Sequence, residues 1–285
     1  MDNIDTPPSR KLDVERIQHL LETEILGTGK HLIYEPVVDS TNALAMQLAQ
    51  NGSEEGVVVL TDSQTAGKGR QGRRWVDVVG WNVLSSTVLR PLFPPYQLVM
   101  IASLAVVDAI ADTCNVTANI KWPNDVLIRD RKVAGILIET SHDRAGHLVA
   151  ILGIGVNING HISRFDTTQT SLQTNQGLVT TATTLEEESG HVVSREAFIA
   201  HLLYQIETRY LALQQETRQT HGHGSISRFI REQWRARLST LGRTIHVHQG
   251  KKLLSGVAED VNDQGELLLR DHSGECITIT WGDIE

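Results

Sequence analysis

Short apolar runs bounded by turn residues recur up to Asn159 and predict a strand-rich core. The predicted strands are residues 56–61, 82–89, 118–122, 126–128, 133–140 and 148–159. Helical spacing of apolar residues predicts helices at 12–25, 43–50 and 98–111, and the last is apolar nearly all round, as buried helices are. Both kinds of element are therefore expected here, although the pattern alone does not give their topology.

The pattern changes in the second half of the chain. Its helix signals are a capping box at Thr184 and Glu187, a Ser194-capped helix through residue 213, and a helix at 227–238. From Arg243 onward, short alternating strands predict a small antiparallel barrel, divided by the turns Gln249-Gly250, Gln264-Gly265 and Ser273-Gly274. We expect three parts: a tail with a short helix (1–31), a main domain (32–240) and the barrel (241–285).

Composition narrows the class of protein. A chain of 285 residues with 40% hydrophobic and 21% charged residues is typical of a globular protein, and a net charge of -8 argues against a surface built for nucleic acid. Cys114 and Cys276 show no CxxC spacing, which favours a reducing compartment over disulfides. Without a signal-like N-terminus or an apolar run of membrane-spanning length, we expect a cytoplasmic protein.

A basic, glycine-rich loop follows the first predicted strand. It reads Gly67-Lys68-Gly69-Arg70-Gln71-Gly72-Arg73-Arg74. Glycines allow backbone N–H groups to point at an anion, and the lysine and arginines add charge-assisted hydrogen bonds. The spacing differs from a Walker loop. The pattern indicates a site for a phosphate or carboxylate, and the alternative is a solvated turn rich in arginine.

Two further segments carry candidate chemistry. Lys121-Trp122-Pro123-Asn124-Asp125 forms a turn shortly before Lys132, so two lysines, an amide and a carboxylate are expected around one hairpin. The alternative is an ordinary turn built by Asn and Asp. Asp39-Ser40-Thr41-Asn42 offers hydroxyls and free N–H groups at a helix start, which suit a neutral polar ligand, and the alternative is helix capping alone.

Together these segments resemble the biotin protein ligases, over roughly residues 32–285. The matching motifs, in family order, are Asp39-Ser40-Thr41-Asn42, Gln64-Thr65-Ala66-Gly67-Lys68-Gly69-Arg70-Gln71-Gly72-Arg73-Arg74-Trp75, Lys121-Trp122-Pro123-Asn124-Asp125, Lys132-Val133-Ala134-Gly135-Ile136-Leu137-Ile138-Glu139 and Gly153-Ile154-Gly155-Val156-Asn157. The resemblance implies an α/β (α+β) catalytic domain similar to class II aminoacyl-tRNA synthetases, with a mixed sheet, followed by an SH3-like barrel. It corresponds to the family form that lacks an N-terminal helix-turn-helix domain.

The resemblance also implies a two-step reaction. Biotin and ATP with Mg²⁺ would give biotinyl-adenylate, and biotin would then pass to a lysine of a biotin carboxyl carrier protein, such as that of acetyl-CoA carboxylase. The expected ligand-binding residues are Ser40, Thr41, Asn42, Gln64, Gly67, Lys68, Gly69, Arg70, Trp75, Asn124, Lys132, Gly135, Gly153, Gly155 and Asn157. The expected catalytic residues are Lys132, Arg70, Asp125 and Lys121, with Asp125 orienting or deprotonating the acceptor lysine.

Some alternatives stay open. A lipoate or octanoate protein ligase has a similar core, and a non-catalytic biotin-responsive regulator could use the same pocket. The histidine pairs His221/His223 and His246/His248 lack carboxylate or cysteine neighbours, so we expect no protein metal site. We expect no nucleic acid or membrane partner, and a monomer or weak homodimer. The family loop usually reads Gly-Arg-Gly-Arg, and because Lys68 lacks the bidentate fork of arginine, weaker retention of the adenylate is expected.

Overall fold

The computed structural model describes residues 11–162, 181–220 and 224–284. Seven strands form one mixed sheet: β1 (Leu32–Val38), β2 (Val58–Gln64), β3 (Asn82–Leu89), β4 (Asn119–Lys121), β5 (Asp125–Ile128), β6 (Arg131–His142) and β7 (Leu148–Asn157). Their order across the sheet is β1-β2-β3-β7-β6-β5-β4. β1 and β2 are parallel and all other neighbours are antiparallel, which makes the sheet mixed, as predicted.

One face of the sheet is covered by two long helices, α3 (Tyr96–Cys114) and, later in the chain, α5 (Arg195–Thr220). α3 has 19 residues, more than the predicted 98–111, and it is long and apolar enough to cross a membrane by composition. The prediction that no apolar segment reaches that length is therefore wrong. Most of α3 is buried inside the fold, where its all-round apolar surface packs in the main hydrophobic core.

Among the described residues, one helix packs on the opposite face, α2 (Thr41–Gln50), at one end of the sheet. Ala45 and Ala49 of α2 pack against Val59, Val88 and Ile151 in a second, smaller core. Small residues on α2 bring its backbone close to the strands, and the rest of this face remains open for a pocket.

The N-terminal helix α1 (Val14–Leu20) is shorter than the predicted 12–25. Asp13 caps its start by accepting a hydrogen bond from the Arg16 amide. The chain leaves the helix after Leu20 because the carboxylate of Glu207 on α5 accepts the backbone N–H groups of residues 24, 25 and 26 at 2.5–2.8 Å. A long-range acceptor therefore replaces the helical carbonyls in this segment. Residues 1–10 of the predicted tail lie outside the described residues.

The remaining helices follow the predicted signals closely. Thr184 and Glu187 form the predicted capping box at the start of α4 (Leu185–Ser189), and Ser194 accepts a hydrogen bond from the Ala197 amide at the start of α5. The helix predicted at 227–238 is α6 (Ser225–Ala236). Its apolar face buries Trp234.

The arginines at the end of α6 contact neighbouring parts of the fold. Arg235 pairs with Asp260 of the C-terminal part, and Arg237, just beyond the helix, pairs with Asp108 of α3. These arginines therefore link α6 to its neighbours, which a helix with a purely solvated basic face would not do.

The C-terminal part contains the strands β8 (Thr244–Gln249), β9 (Lys252–Val261), β10 (Leu267–Arg270), β11 (Cys276–Ile279) and β12 (Asp283–Ile284). They form an antiparallel five-stranded sheet in the order β11-β10-β9-β8-β12. The three predicted turns all contain a glycine with positive φ, at 62° for Gly250, 76° for Gly265 and 87° for Gly274. The Trp122 indole donates to the Gly265 carbonyl at 2.9 Å, so this part packs directly on the turn that follows β4.

Candidate active site

A pocket opens on the face of the sheet that α2 leaves uncovered. The start of α2, the basic loop between β2 and β3, and strands β3, β6 and β7 surround it. The pocket is lined by Ser40, Thr41, Asn42, Gln64, Lys68, Gly69, Arg70, Arg73, Arg74, Trp75, Leu84, Ser85, Asn124, Lys132, Gly135, Ile136, Leu137, Gly153, Ile154 and Gly155. The three candidate segments, far apart in the sequence, therefore meet around one cavity.

A chain of hydrogen bonds occupies one end of the pocket. The Thr41 amide donates to Gln64 Oε1 at 2.8 Å, and the hydroxyl oxygens of Thr41 and Ser86 are 2.7 Å apart. Ser86 Oγ lies 2.6 Å from Asn42 Oδ1, and Asn42 Nδ2 donates to Glu139 Oε2 at 2.8 Å. Although Ser40 stands at the N-cap position, its side chain makes no capping hydrogen bond, so capping alone does not explain the buried hydroxyls.

The direction of this chain follows from the carboxylate at its end. A carboxylate accepts and does not donate, so Asn42 must turn its NH₂ group to Glu139 and its carbonyl oxygen to Ser86. The single Ser86 proton then goes to Asn42 Oδ1, and the Thr41 hydroxyl has two acceptors in reach, Ser86 Oγ at 2.7 Å and Gln64 Oε1 at 3.2 Å. Thr41 Oγ1 keeps its lone pairs, while the Gln64 NH₂ group can donate. This end of the pocket suits a neutral group that has both N–H donors and a carbonyl acceptor.

Three glycines on adjacent strands allow side chains to lie directly on the sheet. Gly135 and Gly155 are cross-strand partners, and a Cβ atom at Gly155 would stand 2.6 Å from the Trp75 ring. At Gly135 the same ring would be 3.0 Å from a Cβ atom. Gly153 gives room to Asn42, whose Oδ1 would be 2.1 Å from a Cβ. The side chains of Trp75 and Asn42 therefore occupy space that any other residue type would deny them.

The basic loop is a short hairpin. Lys68 and Arg74 form an antiparallel bridge, and the Gly69 amide donates to the Arg73 carbonyl at 2.7 Å. The Trp75 amide donates to the Gly67 carbonyl at 3.0 Å, which ties the indole to the base of the hairpin. The Trp75 Nε1 atom is buried without a hydrogen-bond partner among the described residues, so the site offers a donor inside the pocket.

Two loop cations form contacts on either side of the pocket. Lys68 Nζ lies 3.2 Å from Glu139 Oε1, and Arg73 Nη2 lies 2.7 Å from Asp283 Oδ1 of β12. The second pair connects the loop to the C-terminal part of the chain. Both pairs are partly exposed to solvent, which screens the attraction between their charges.

Arg70 reaches into the pocket from the loop and is held by the turn after β4. Its Nη1 donates to Asn124 Oδ1 at 2.8 Å, and Asn124 Nδ2 donates to the Ile136 carbonyl at the same distance. Burial lowers the pKa of the Arg70 guanidinium, and the nearby carboxylates of Asp283 and Asp125 act in the opposite direction. The predicted turn residue Asn124 thus fixes a cation in place.

Lys132 reaches the same region because β6 contains a bulge. Leu127 pairs with Lys132 and Val126 pairs with Ala134, which leaves Val133 as the extra residue. Lys132 and Gly135 consequently share a face, although three residues apart they would lie on opposite faces of a regular strand. Lys132 Nζ lies 2.6 Å from Asp125 Oδ1 and 5.7 Å from the centre of the Trp75 ring.

Comparisons with known proteins agree with this geometry. Residues 34–159 match the Biotin/lipoate A/B protein ligase family, and residues 240–285 match the Biotin protein ligase C terminal domain. Bifunctional ligase/repressor BirA of Bacillus subtilis is 34% identical over 267 residues, or 93% of this chain and 76% of that protein. Biotin--[acetyl-CoA-carboxylase] ligase of Paracoccus denitrificans is 37% identical over 248 residues, or 84% of this chain and 94% of that protein.

This chain belongs to the biotin protein ligase family. A solved biotin protein ligase from Aquifex aeolicus, in complex with biotin and ATP, superposes with a TM-score of 0.70 at 26% identity. The match covers 90% of this chain and 98% of that one. The fold predicted from the resemblance, a mixed-sheet α/β domain followed by an SH3-like barrel, is confirmed.

Not every residue expected from the biotin protein ligase motifs lines the pocket. Asn157 bonds to the buried Asn82 side chain at 3.0 Å and donates to the Thr183 carbonyl at 3.1 Å, so it holds β7 to neighbouring segments. Gly67 is buried at the base of the loop, where a Cβ atom would approach the Trp75 carbonyl to 2.8 Å. Lys121 pairs with Asp125 across the β4–β5 hairpin, outside the pocket lining.

Two residues that hold the pocket side chains in place, without lining the pocket, were missed from the sequence. Ser86 bonds to both Thr41 and Asn42, and Glu139 is the last acceptor in this series of hydrogen bonds. A polar residue inside the apolar strand at 82–89 and a carboxylate at the end of the Lys132 motif were the available signals. Neither signal points to a contact until the strands are placed side by side.

The donor set around the pocket is cationic. Among residues 11–162, 181–220 and 224–284, no three His, Cys, Asp or Glu side chains cluster so that they could hold a metal ion. The carboxylates of Asp125, Glu139 and Asp283 beside the pocket are each paired with a cation, Lys132, Lys68 and Arg73 respectively. His246 bonds to Ser255, and the pair His221/His223 lies outside the described residues.

Proposed function

We propose that this protein joins biotin to ATP, giving biotinyl-adenylate and pyrophosphate, and then transfers the biotinyl group to a lysine of a biotin carboxyl carrier domain. One observation carries the proposal: a neutral hydrogen-bonding end and a cationic end face each other in one pocket. The Trp75 indole lies beside them, on the glycines of two adjacent strands. That arrangement matches a substrate with a urea-like ring at one end and a carboxylate at the other.

The neutral end distinguishes biotin from lipoate or octanoate. An aliphatic acid would offer no partner to the Thr41 Oγ1 lone pairs or to the Gln64 NH₂ group, and a buried polar group left unpaired costs about 1–3 kcal/mol. The biotin ureido ring has two N–H donors and one carbonyl acceptor, which the free Thr41 Oγ1 lone pairs and the Gln64 NH₂ group can satisfy. Biotin is therefore the better substrate for this pocket.

In the first step the biotin carboxylate oxygen attacks the α-phosphorus of ATP, a new P–O bond forms, and pyrophosphate leaves. The carboxylate is already ionised at neutral pH, so the step needs cations rather than a base. Arg70, oriented by Asn124, and Lys132, oriented by Asp125, would hold the two anions together. Lys68 and the loop amides would complete this anion site.

Magnesium would enter with its substrate. Mg²⁺ prefers phosphate oxygens supplemented by one or two carboxylates, and the nearest carboxylate to the cationic end, Asp125, is paired with Lys132. The residues present thus fit ATP that carries its own Mg²⁺, and the ion would neutralise charge on the phosphates.

In the second step the acceptor lysine attacks the acyl carbon, the C–O bond to phosphate breaks, and AMP leaves. The attacking ammonium must first lose a proton, since the free lysine pKa is about 10.4. Asp125 contacts the pocket residue Lys132, although it does not itself line the pocket, and it would take or orient that proton. Its contact with Lys132 would connect the two steps. Lys121, its hairpin partner, would support the geometry from outside the lining.

We assign the protein to the cytoplasm, as a monomer or weak homodimer without a nucleic acid partner, on its acidic composition and its two unpaired cysteines. A carrier protein and ATP are both available there. The carrier domain of acetyl-CoA carboxylase is the acceptor we favour, because the Paracoccus relative is named as a ligase for that enzyme.

The test is incubation with radiolabelled biotin, ATP and a purified biotin carboxyl carrier domain. We expect ATP-dependent label on the carrier lysine and one pyrophosphate released for each adenylate formed. Excess unlabelled biotin should compete, whereas octanoate and lipoate should not. Binding of labelled biotin without pyrophosphate release would indicate a non-catalytic biotin-responsive regulator, and competition by octanoate would indicate a lipoyl-type ligase.

A further inference from the structure

Glu139 joins the two ends of the pocket without lining it. One carboxylate oxygen, Oε2, accepts the Asn42 NH₂ group, and the other, Oε1, lies 3.2 Å from Lys68 Nζ. Lys68 lines the pocket, whereas Glu139 lies in a more open groove beside the basic loop. The Lys68 ammonium is therefore drawn towards a carboxylate that stands outside the pocket.

We propose that Glu139 is a positioning residue that holds the Lys68 ammonium aside in the ligand-free protein and competes with the bound carboxylate and phosphate for it. This inference rests on the proposed function, since that function supplies the anions. It adds a residue that regulates how tightly the loop retains the adenylate. Glu139 acts through Lys68 and touches no reacting atom.

The competition follows from charge and geometry. Lys68 has one ammonium group, which cannot stay within hydrogen-bond distance of Glu139 while it also neutralises an anion deep in the pocket. An arginine in its place could use its fork to contact two partners, whereas lysine is a single point charge. With lysine at position 68, the ammonium group therefore contacts either Glu139 or the ligand, and not both.

The second oxygen of Glu139 allows the two contacts to be separated by substitution. In Glu139→Gln the side-chain carbonyl can still accept from Asn42, so the hydrogen bonds at the neutral end keep their direction. The new NH₂ group cannot accept from Lys68, and the negative charge is lost. In Glu139→Leu both contacts disappear.

The experiment measures binding of an unreactive biotinyl-adenylate analogue and of neutral biotin amide. For Glu139→Gln we expect the analogue to bind about two- to fivefold more tightly, the range for a partly exposed ion pair, and biotin amide to bind unchanged. The gain should vanish when Lys68→Gln is added. Glu139→Leu should in addition bind biotin amide more weakly. Glu22→Gln, an exposed glutamate on the N-terminal segment, is the matched control for loss of one charge.

A second readout needs no ligand. Amide hydrogen exchange in residues 65–75 should be faster in Glu139→Gln than in the wild type or Glu22→Gln, because the loop has lost one anchor. Weaker binding of the analogue by Glu139→Gln, an equal gain in the Lys68→Gln background, or unchanged loop exchange would overturn the proposal. If wild-type protein binds neither probe, the proposed function fails and this inference with it, whereas failure of Glu139→Gln alone leaves that function intact.

Discussion

The Trp75 indole lies against the backbone of Gly155, where a Cβ atom would stand 2.6 Å from the ring. Gly155 and its cross-strand partner Gly135 together form a flat surface under the ring, and Lys132 lies above the same surface, 5.7 Å from the ring centre. The contact joins the end of the basic loop to the two strands that carry the cationic end of the pocket. Its loss should therefore be felt in ligand binding more than in folding.

Gly155→Ala should displace the Trp75 ring, because the added methyl group meets ring atoms that cannot move without the loop. Overpacking of this kind costs about 1–3 kcal/mol, and we expect much of it to appear as faster release of biotinyl-adenylate. The release rate, measured after rapid removal of free biotin and ATP, checks the prediction. Gly155→Ala in a Trp75→Ala background is the control and should cause little further change; an undiminished effect there would show that the methyl group acts elsewhere.

Lys132 and Asp125 should behave as a unit in adenylate formation, given their 2.6 Å contact. Lys132→Ala removes a cation from the anion site, and Asp125→Asn removes the group that orients it. We expect each to slow pyrophosphate release by about tenfold or more, and the double variant to be no slower than Lys132→Ala.

Transfer from pre-formed biotinyl-adenylate separates the second role assigned to Asp125. Asp125→Asn should slow this reaction more than Lys132→Ala does, because only Asp125 can take up the proton of the acceptor lysine. Equal rates in the two variants would restrict Asp125 to holding Lys132.

Arg70→Lys should weaken ATP binding although it keeps the charge. The lysine would lose the guanidinium bond to Asn124 and the planar fork that matches a phosphate. One charged hydrogen bond is worth about 1.5–3 kcal/mol, so the dissociation constant for ATP, measured by calorimetry with unreactive biotin amide in place of biotin, should rise at least about tenfold. Arg129→Lys, at an exposed position that does not line the pocket, should leave it unchanged.

Stability at alkaline pH should depend on two tyrosines, the half-buried Tyr34 and the buried Tyr210. Burial, and then the hydrogen bond to Asp62, raise the pKa of Tyr34 to about 12. Burial, and then Glu55, also raise the pKa of Tyr210. A raised pKa means that the unfolded chain loses its phenolic protons first. The stabilisation is therefore complete below about pH 10 and declines as the pH rises from there to about 12.

Urea unfolding between pH 9 and pH 12 measures this effect. In the single variant Tyr34→Phe, the unfolding free energy should fall less steeply with pH than in the wild type. In the single variant Tyr210→Phe, the fall should be less steep still. A parallel fall in all three proteins would show that other groups control alkaline unfolding.

Local sequence pattern was enough for several elements. The predicted strand at 82–89 is β3 residue for residue. A short, largely apolar run that is bounded by a turn and an arginine is typical of a buried strand. The Thr184 capping box and the glycines at 250, 265 and 274 also appear as predicted, since a cap or a turn depends on residues only a few positions apart. The motifs of the basic loop and the Lys132 segment likewise identified the family.

Contacts between distant residues decided the rest. Glu207 ends the first helix from 181–183 residues away, and the extra residue Val133 turns Lys132 onto the face of Gly135. The pairing of β3 with β7 places Asn157 opposite Asn82, and its side chain bonds there and does not line the pocket. None of these positions carries a local signal, because a bulge register and a long-range acceptor are chosen by the energy of the packed sheet as a whole.

The sequence by itself therefore determined which chemical groups this protein has: the cations and glycines of one loop, the hydroxyls before α2, and the lysine and carboxylate of the hairpin. Tertiary structure alone decided which of them meet. It placed the Trp75 ring on Gly155, and it brought Glu139 into contact with both Asn42 and Lys68. Residue type sets what a side chain can donate or accept, but only the close packing of strands and loops selects its partner.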